Sequence, residues 1–349
     1  MTRPPNAGRR RRDRTNASSD ETMRKSTSPQ HTESSTATQM ALKTETAAAA
    51  PAPAAPRHKG PRVFLDMDQQ ALDDAYTQVN FAPNQPQILA RYASNSGAMR
   101  ARLGEPRRFA YGATPMEQLD LYAAPRANAP ICVFLHGGAW RAGNAQSHAF
   151  AAETFVGAGV HFAALDFDNV DMTAGDLAPV ARQVRSAVAW VYANAASLGA
   201  DPRKLYVCGH SSGAHLAGVV LTTDWQRAFG LPADVVRGGM LNSGMYDLQP
   251  VRLSARSSYI NFTDDVVEAL SPIRHVDRLT CPILVSHGTQ ESPEFVRQAR
   301  DFVAAAKVAG KSVELLVAEG YNHFEILETL ANPYGFLGRA ALTMMKPDG

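Results

Sequence analysis

The segment Gly209-His210-Ser211-Ser212-Gly213 lies between the apolar run Leu205-Tyr206-Val207-Cys208 and a small-residue stretch at 214–220, and few chain paths satisfy that arrangement. G-x-S-x-G in this setting reads as a strand, a sharp turn with serine at its apex, and a helix. A serine on so tight a turn has strained backbone angles, and bulky neighbours would collide with the strand or the helix. The turn lifts the Ser211 hydroxyl clear of the sheet. It also aims a helix N-terminus, with its partial positive charge, at whatever reacts there. Five residues alone could be any glycine-rich turn, so the rest of the chain has to agree.

It does so in its periodicity. From residue 131 onward, short apolar runs alternate with longer amphipathic ones, and strands are predicted at 131–135, 160–165, 205–208, 239–242, 283–286 and 313–317. Between the second and third, Val180, Val184, Ala187, Val188 and Val191 recur at the spacing of one buried helix face. Strands alternating with helices predict an α/β fold, a mostly parallel sheet with helices on both faces. Residues 107–111 and 117–122 alternate with period two around Gly112-Ala113-Thr114-Pro115, which predicts an antiparallel hairpin at the leading edge. Upstream, Asp66 and Gln69 read as the capping box of a helix reaching Tyr76. A second helix is predicted over 87–103 with Ile88, Leu89 and Tyr92 on one face, so that an N-terminal helical, lid-like segment precedes the sheet.

Composition narrows the class. Of 349 residues, 45% are hydrophobic and 19% charged, as in soluble globular proteins. No apolar run approaches the roughly 20 residues of a membrane span. The net charge of +2 is unevenly spread: residues 1–60 carry 11 Lys+Arg and 5 Asp+Glu, leaving 24 and 28 for the remainder. Residues 1–60 are rich in Arg, Ser, Thr, Ala and Pro and are predicted to be a disordered basic tail, with residues 61–349 as a single domain. The run Arg9-Arg10-Arg11-Arg12 reads as a solvated charge run, not as a nucleic-acid or membrane contact, and no apolar core follows it as in a secretory signal. Three widely spaced cysteines, Cys132, Cys208 and Cys281, read as buried thiols of a reducing compartment, so a cytoplasmic location is expected. A homodimer is the default assembly for such a chain.

The candidate chemistry is acyl transfer. His136-Gly137-Gly138-Ala139-Trp140 directly follows the first core strand. An acyl-transfer oxyanion needs two converging backbone N–H groups, and glycines allow so close an approach. Gly138 and Ser212 are the expected donors, with Gly137 shaping the turn. A serine needs a base, and His323 stands in the loop after the last strand, matching the order serine, acid, histidine. His136, His210, His215 and His287 are placed beside other features, and no histidine pair has metal-ligand spacing, so no metal and no cofactor are expected. Two acids remain open: Glu291, three residues after Gly288, and Asp247, after the preceding strand. Trp140, Phe167 and Tyr246 are candidates for substrate contact, each with a place in the core as the alternative.

Taken together, His136-Gly137-Gly138-Ala139-Trp140, Gly209–Gly213, Ser243-Gly244-Met245-Tyr246-Asp247-Leu248 and Glu291-Ser292-Pro293-Glu294-Phe295 resemble the kynurenine formamidase (arylformamidase) group of α/β-hydrolases. Asp201-Pro202, Thr223-Asp224-Trp225, Tyr321-Asn322-His323-Phe324 and the helical stretch at 72–92 are similar too, so the likeness spans residues 66–345. The resemblance implies an α/β-hydrolase fold, the triad Ser211, Glu291 and His323, and cofactor-free hydrolysis of an aryl formamide or small ester. The segment Asp166-Phe167-Asp168-Asn169-Val170 departs from the group's pattern near the pocket. A general carboxylesterase for another small ester and, more distantly, a non-catalytic binding protein on the same fold are the alternatives.

Overall fold

All seven residues of the strand Ala129–Leu135 are buried, and their side chains point alternately into two apolar layers. Ile131, Val133 and Leu135 join one layer, and Cys132 and Phe134 the other. A strand apolar on both faces requires helices on both faces. The computed structural model of the chain, which describes residues 60–345, has that architecture. The tail expected at the N-terminus lies outside the described residues, apart from Gly60.

The main sheet has eight strands: β1 (Arg107–Ala110), β2 (Gln118–Tyr122), β3 (Ala129–Leu135), β4 (His161–Leu165), β5 (Ala200–His210), β6 (Gly238–Asn242), β7 (Ile283–Gly288) and β8 (Val313–Ala318). Their order is β8-β7-β6-β5-β3-β4-β2-β1. From β8 through β4 all neighbours are parallel, and the β1–β2 hairpin adds to β4 antiparallel, at the edge where the alternation predicts it. β5 starts earlier than its apolar run suggests, because Ala200 pairs with Ala129 across an irregularity before Ile131.

Helices cover the two faces. On one lie α3 (Leu177–Leu198), α4 (Ser212–Leu221) and α6 (Pro293–Val308), whose buried residues share a layer with Ile131 and Val133. α3 buries Val180, Val184, Ala187, Val188 and Val191 and ends at Gly199, whose φ of 85° closes the helix in the left-handed region. Each fully buried valine contributes about 1.5–2 kcal/mol. On the other face, α2 (Gln85–Leu103) and α7 (Phe336–Met345) bring Ile88, Tyr92, Met99, Leu337 and Ala341 against Cys132 and Phe134. α1 (Gln69–Ala75) precedes α2, and α5 (Leu248–Leu253) follows β6.

Two local expectations need correction. The cap of α1 is Asp68, which accepts the Ala71 N–H at 2.9 Å, not Asp66. Asp66 lies in the turn of a small antiparallel ribbon, Arg62–Phe64 against Met67–Asp68, which claims the residues before the helix. Leu89 is 39% exposed while Ile88 and Tyr92 are buried, because one residue rotates a helix position by about 100° off the buried stripe. All three cysteines are free and buried, and burial pushes the Cys132 thiol upward and that of Cys281 up to about 12. Among the described residues no helix is long and apolar enough to cross a membrane.

Candidate active site

β3 and β5 are neighbours, but the chain leaves β3 toward β4 and returns through α3 to β5. Such a switch point opens a crevice beyond the carboxyl ends of the strands, and both motif loops emerge there. β5 ends at His210, and Ser211 follows with φ 58° and ψ −123°, a conformation costing a non-glycine residue about 1–3 kcal/mol. The surroundings hold it there. Ser211 N–H donates to the Asn242 carbonyl at 2.9 Å, Asn242 Nδ2 donates to the Gly209 carbonyl at 3.0 Å, and Ser286 Oγ donates to Asn242 Oδ1 at 2.9 Å. The two motif glycines are steric necessities. A Cβ on Gly209 would lie 2.3 Å from the Gly213 carbonyl oxygen, and one on Gly213 would lie 2.1 Å from that of Leu135.

Ser211, His323 and Glu291 stand in one hydrogen-bonded row. His323 Nε2 is 2.9 Å from Ser211 Oγ, and His323 Nδ1 is 2.9 Å from Glu291 Oε2. Glu291 Oε1 accepts from Ser243 Oγ and the Gly288 N–H, both at 2.6 Å, so the carboxylate cannot turn away. A carboxylate only accepts, so Nδ1 of the neutral imidazole carries the proton and Nε2 faces the serine as the acceptor. The backbone of His323 is held as well, because His210 Nε2 donates to its carbonyl at 2.7 Å. Burial, reinforced by the neighbouring His323, holds His210 well below its ordinary range. Asp247 stands apart: it caps α5, accepting the Gln249 N–H at 3.0 Å, and is 4.0 Å from Arg274.

The loop after β3 is bent through Gly138, Ala139 and Trp140, with φ of 123°, 56° and 60°. A Cβ on Gly138 would come within 2.0 Å of the Ala142 carbonyl oxygen. Ser212 opens α4, where N–H groups have no intrahelical acceptor. Its hydroxyl accepts the Trp140 N–H at 3.2 Å, tying the loop to the helix. The indole adds a second tie. Trp140 Nε1 donates to His215 Nδ1 at 3.2 Å, and His215 Nε2 donates to the Leu270 carbonyl at 2.7 Å. Burial lowers the His215 pKa to about 4, which keeps the ring neutral and able to play both parts.

Ser211, His323, Gly137 and Gly138 open onto a cavity of about 500 Å³. Its other walls include Gln78, Val79, Leu89, Tyr92 and Arg256, so the N-terminal segment forms one side. That segment is fastened to the loop of His323: Asn84 Nδ2 donates to Glu325 Oε1 at 2.7 Å, Asn322 Nδ2 to Asn84 Oδ1 at 2.9 Å, and the Tyr92 hydroxyl to the Phe324 carbonyl at 2.5 Å. Trp140, Phe167 and Tyr246 do not line the cavity, contrary to expectation. Trp140 points at His215, Phe167 stacks on His136 at 4.5 Å, and Tyr246 is fully buried against Phe302 at 4.6 Å. Motif-flanking aromatic residues here brace the loops from beneath. Gln78 and Arg256 escape sequence reading because neither sits in a motif. Ser243 lies inside one, but its role toward Glu291 has no local signature. Among the described residues no three His, Cys, Asp or Glu side chains are grouped to hold a metal ion.

Known proteins resemble this chain in sequence and fold. The BD-FAE family matches residues 119–235. Kynurenine formamidase of Danio rerio is 31% identical over 242 residues, covering 67% of this chain and 80% of that protein. Esterase LipC of Mycobacterium tuberculosis is 30% identical over 265 residues, covering 66% of this chain and 63% of that one. A crystal structure provisionally assigned as a thioesterase, from Silicibacter sp. tm1040, superposes with a TM-score of 0.68 at 25% identity, covering 76% of this chain and 97% of that one. The esterase Est2 of Thermogutta terrifontis shares the fold, with a TM-score of 0.58 at 22% identity over 70% of this chain and 93% of its own.

Proposed function

The chain belongs to the kynurenine formamidase and esterase group of α/β-hydrolases and hydrolyses an ester or formamide bond, and from that premise we propose that it does so through Ser211, His323 and Glu291, on a small aryl formamide or ester. The observation that carries the reading is the row Ser211–His323–Glu291, with both hydrogen bonds at 2.9 Å, opening onto a cavity of about 500 Å³. His323 Nε2 takes the hydroxyl proton as Ser211 Oγ attacks the acyl carbon. Glu291 holds Nδ1 and stabilises the imidazolium that forms. The tetrahedral oxyanion meets the N–H groups of Gly138 and Ser212, with Gly137 shaping the approach, and each such donor supplies roughly 100- to 1000-fold in rate. The imidazolium then protonates the departing amine or alkoxide. Water, deprotonated by the same nitrogen, releases the acid and restores the serine hydroxyl.

The test compares kcat/KM for N-formylkynurenine and for short p-nitrophenyl esters, with Ser211→Ala as control. A formamide preference of about 100-fold, or roughly 2.7 kcal/mol in the transition state, supports the formamidase reading. Ester turnover with negligible formamide turnover makes the chain a carboxylesterase. In either case Ser211→Ala is expected to lose at least about 10⁴-fold in kcat while keeping the parent melting temperature. Turnover that survives the substitution removes Ser211 from the mechanism.

A further inference from the structure

The one-turn helix Ala145–His148 contributes Ser147 and His148 to the wall of the cavity that holds Ser211. It is pinned from outside at three successive residues. Asp166 Oδ1 accepts the Ala145 N–H at 2.6 Å, Arg100 Nη1 donates to the Gln146 carbonyl at 2.6 Å, and Ser96 Oγ donates to the Ser147 carbonyl at 3.0 Å. A wall so held presents the next side chain, His148, in one place. The Tyr92 and His136 rings, with centres 5.6 and 5.5 Å away, flank the imidazole. The steps assigned to Ser211, His323 and Glu291 use neither nitrogen of this ring.

The partners of the ring decide which nitrogen carries its proton. Nδ1 lies 3.1 Å from the Asn144 carbonyl and 3.1 Å from Ser147 Oγ. A carbonyl only accepts, so Nδ1 holds the proton and Nε2 carries the lone pair. Nε2 has no hydrogen-bond partner among the described residues, and it is not one of their covered, unpartnered polar atoms. His148 is 8% exposed and lines the cavity, so Nε2 is the polar atom that meets it. Burial, with His136 adding to it, lowers the His148 pKa to about 3, which keeps the ring a neutral acceptor near pH 7.

An acceptor taken largely out of water loses free energy until a donor reaches it. We propose that His148 Nε2 selects among substrates by accepting an N–H or O–H from them, so that molecules carrying such a donor apart from the bond cleaved at Ser211 are preferred. The proposal deepens, and rests on, the reading of Ser211 as nucleophile in this cavity. It demands no charge of the ligand, because a neutral hydroxyl or amine satisfies a neutral imidazole.

Calorimetric titration at pH 7.5 tests this without turnover. The ligands are the 2-, 3- and 4-hydroxyphenyl isomers of 4-phenylbutan-2-one and their methoxy counterparts, which carry no O–H. At least one hydroxyl isomer is expected to bind about fivefold more tightly than its methoxy counterpart. Two variants separate accepting from bracing. His148→Asn keeps an amide donor near the position of Nδ1 and removes the acceptor at Nε2, whereas His148→Gln places an amide oxygen near Nε2 and gives up the bond to Asn144. The preference is expected to vanish in His148→Asn and to persist in His148→Gln, whereas a purely structural role reverses that order. Each variant is read if its melting temperature stays near the parent's, and either one decides alone if the other does not fold. Equal affinities in the parent, no binding at millimolar concentration, a preference that survives in His148→Asn, or its loss in His148→Gln overturns the proposal. Hydrolysis of p-nitrophenyl acetate by the parent and by Ser211→Ala, measured in parallel, reports on the nucleophile. If the nucleophile assignment fails there while the hydroxyl preference holds, the acceptor remains and only the chemistry assigned to Ser211 is lost.

Discussion

Glu291 and Asp247 both follow sheet strands, and what each touches tells them apart. Glu291 has both oxygens engaged around His323, Ser243 and Gly288, whereas Asp247 spends its carboxylate on the first turn of α5. Glu291→Gln is therefore expected to lower kcat by about 10⁴-fold, because an amide NH₂ facing Nδ1 favours the wrong tautomer. Asp247→Asn keeps a capping oxygen and should stay within about threefold of the parent, since Asn and Asp cap equally well. Steady-state kinetics on one ester decide it, and a reversed pattern moves the acid to Asp247. Trp140 presents a second single-residue case. Trp140→Phe keeps the ring but removes the N–H that His215 accepts. An oxyanion loop freed at one tie should lose about tenfold in kcat with little change in KM, because its donors act mainly in the transition state. A raised KM at constant kcat would return Trp140 to substrate binding.

At the scale of elements, the elbow between β5 and α4 depends on a close approach of backbones that leaves no room for a methyl group. Gly213→Ala would press a Cβ against carbonyl oxygens of Leu135 and His136, at 2.1 and 2.4 Å. Its expected cost is about 3 kcal/mol of unfolding free energy or failure to fold, measured by urea denaturation. A variant as stable as the parent would mean that the strand and helix can slide apart. The same steric demand explains why this part of the molecule is legible in sequence. Strand, turn and helix impose glycines at fixed offsets, and the parallel strands, buried on both faces, write themselves as unbroken apolar runs. The order of loops along the sheet then singles out His323 among ten histidines and narrows 33 acidic residues to Glu291 and Asp247. What stays illegible is whatever depends on packing across long separations. Nothing local tells that Trp140, Phe167 and Tyr246 turn into the core, nor that Gln78 and Arg256 reach one cavity. The cap at Asp68 is hidden because the short ribbon before it leaves no pattern of its own.

At the scale of the whole molecule, the interior holds several imidazoles that must stay neutral. Burial lowers His148 to about 3 and His215 to about 4, and it lowers His136, His161 and His210 as well. Their folded values lie below that of the unfolded chain, near 6.5. The unfolded state thus takes up protons that the folded state refuses. Their contribution is intact above about pH 6.5 and is lost as pH falls toward 4, by about 1.4 kcal/mol per pH unit for each fully buried ring. The melting temperature should decline steadily from pH 6.5 to 4.5, with proton uptake on unfolding, and a flat profile there would contradict it. The buried thiols have a different consequence. Alkylating reagents attack thiolates, and the chain's three cysteines are both covered and, for Cys132 and Cys281, held protonated. The folded protein is thus already silent toward maleimides, and one cysteine introduced at Val79, 45% exposed on the cavity wall, would be its single labelling handle. A dye or spin label there would watch the cavity mouth with all three native cysteines left in place.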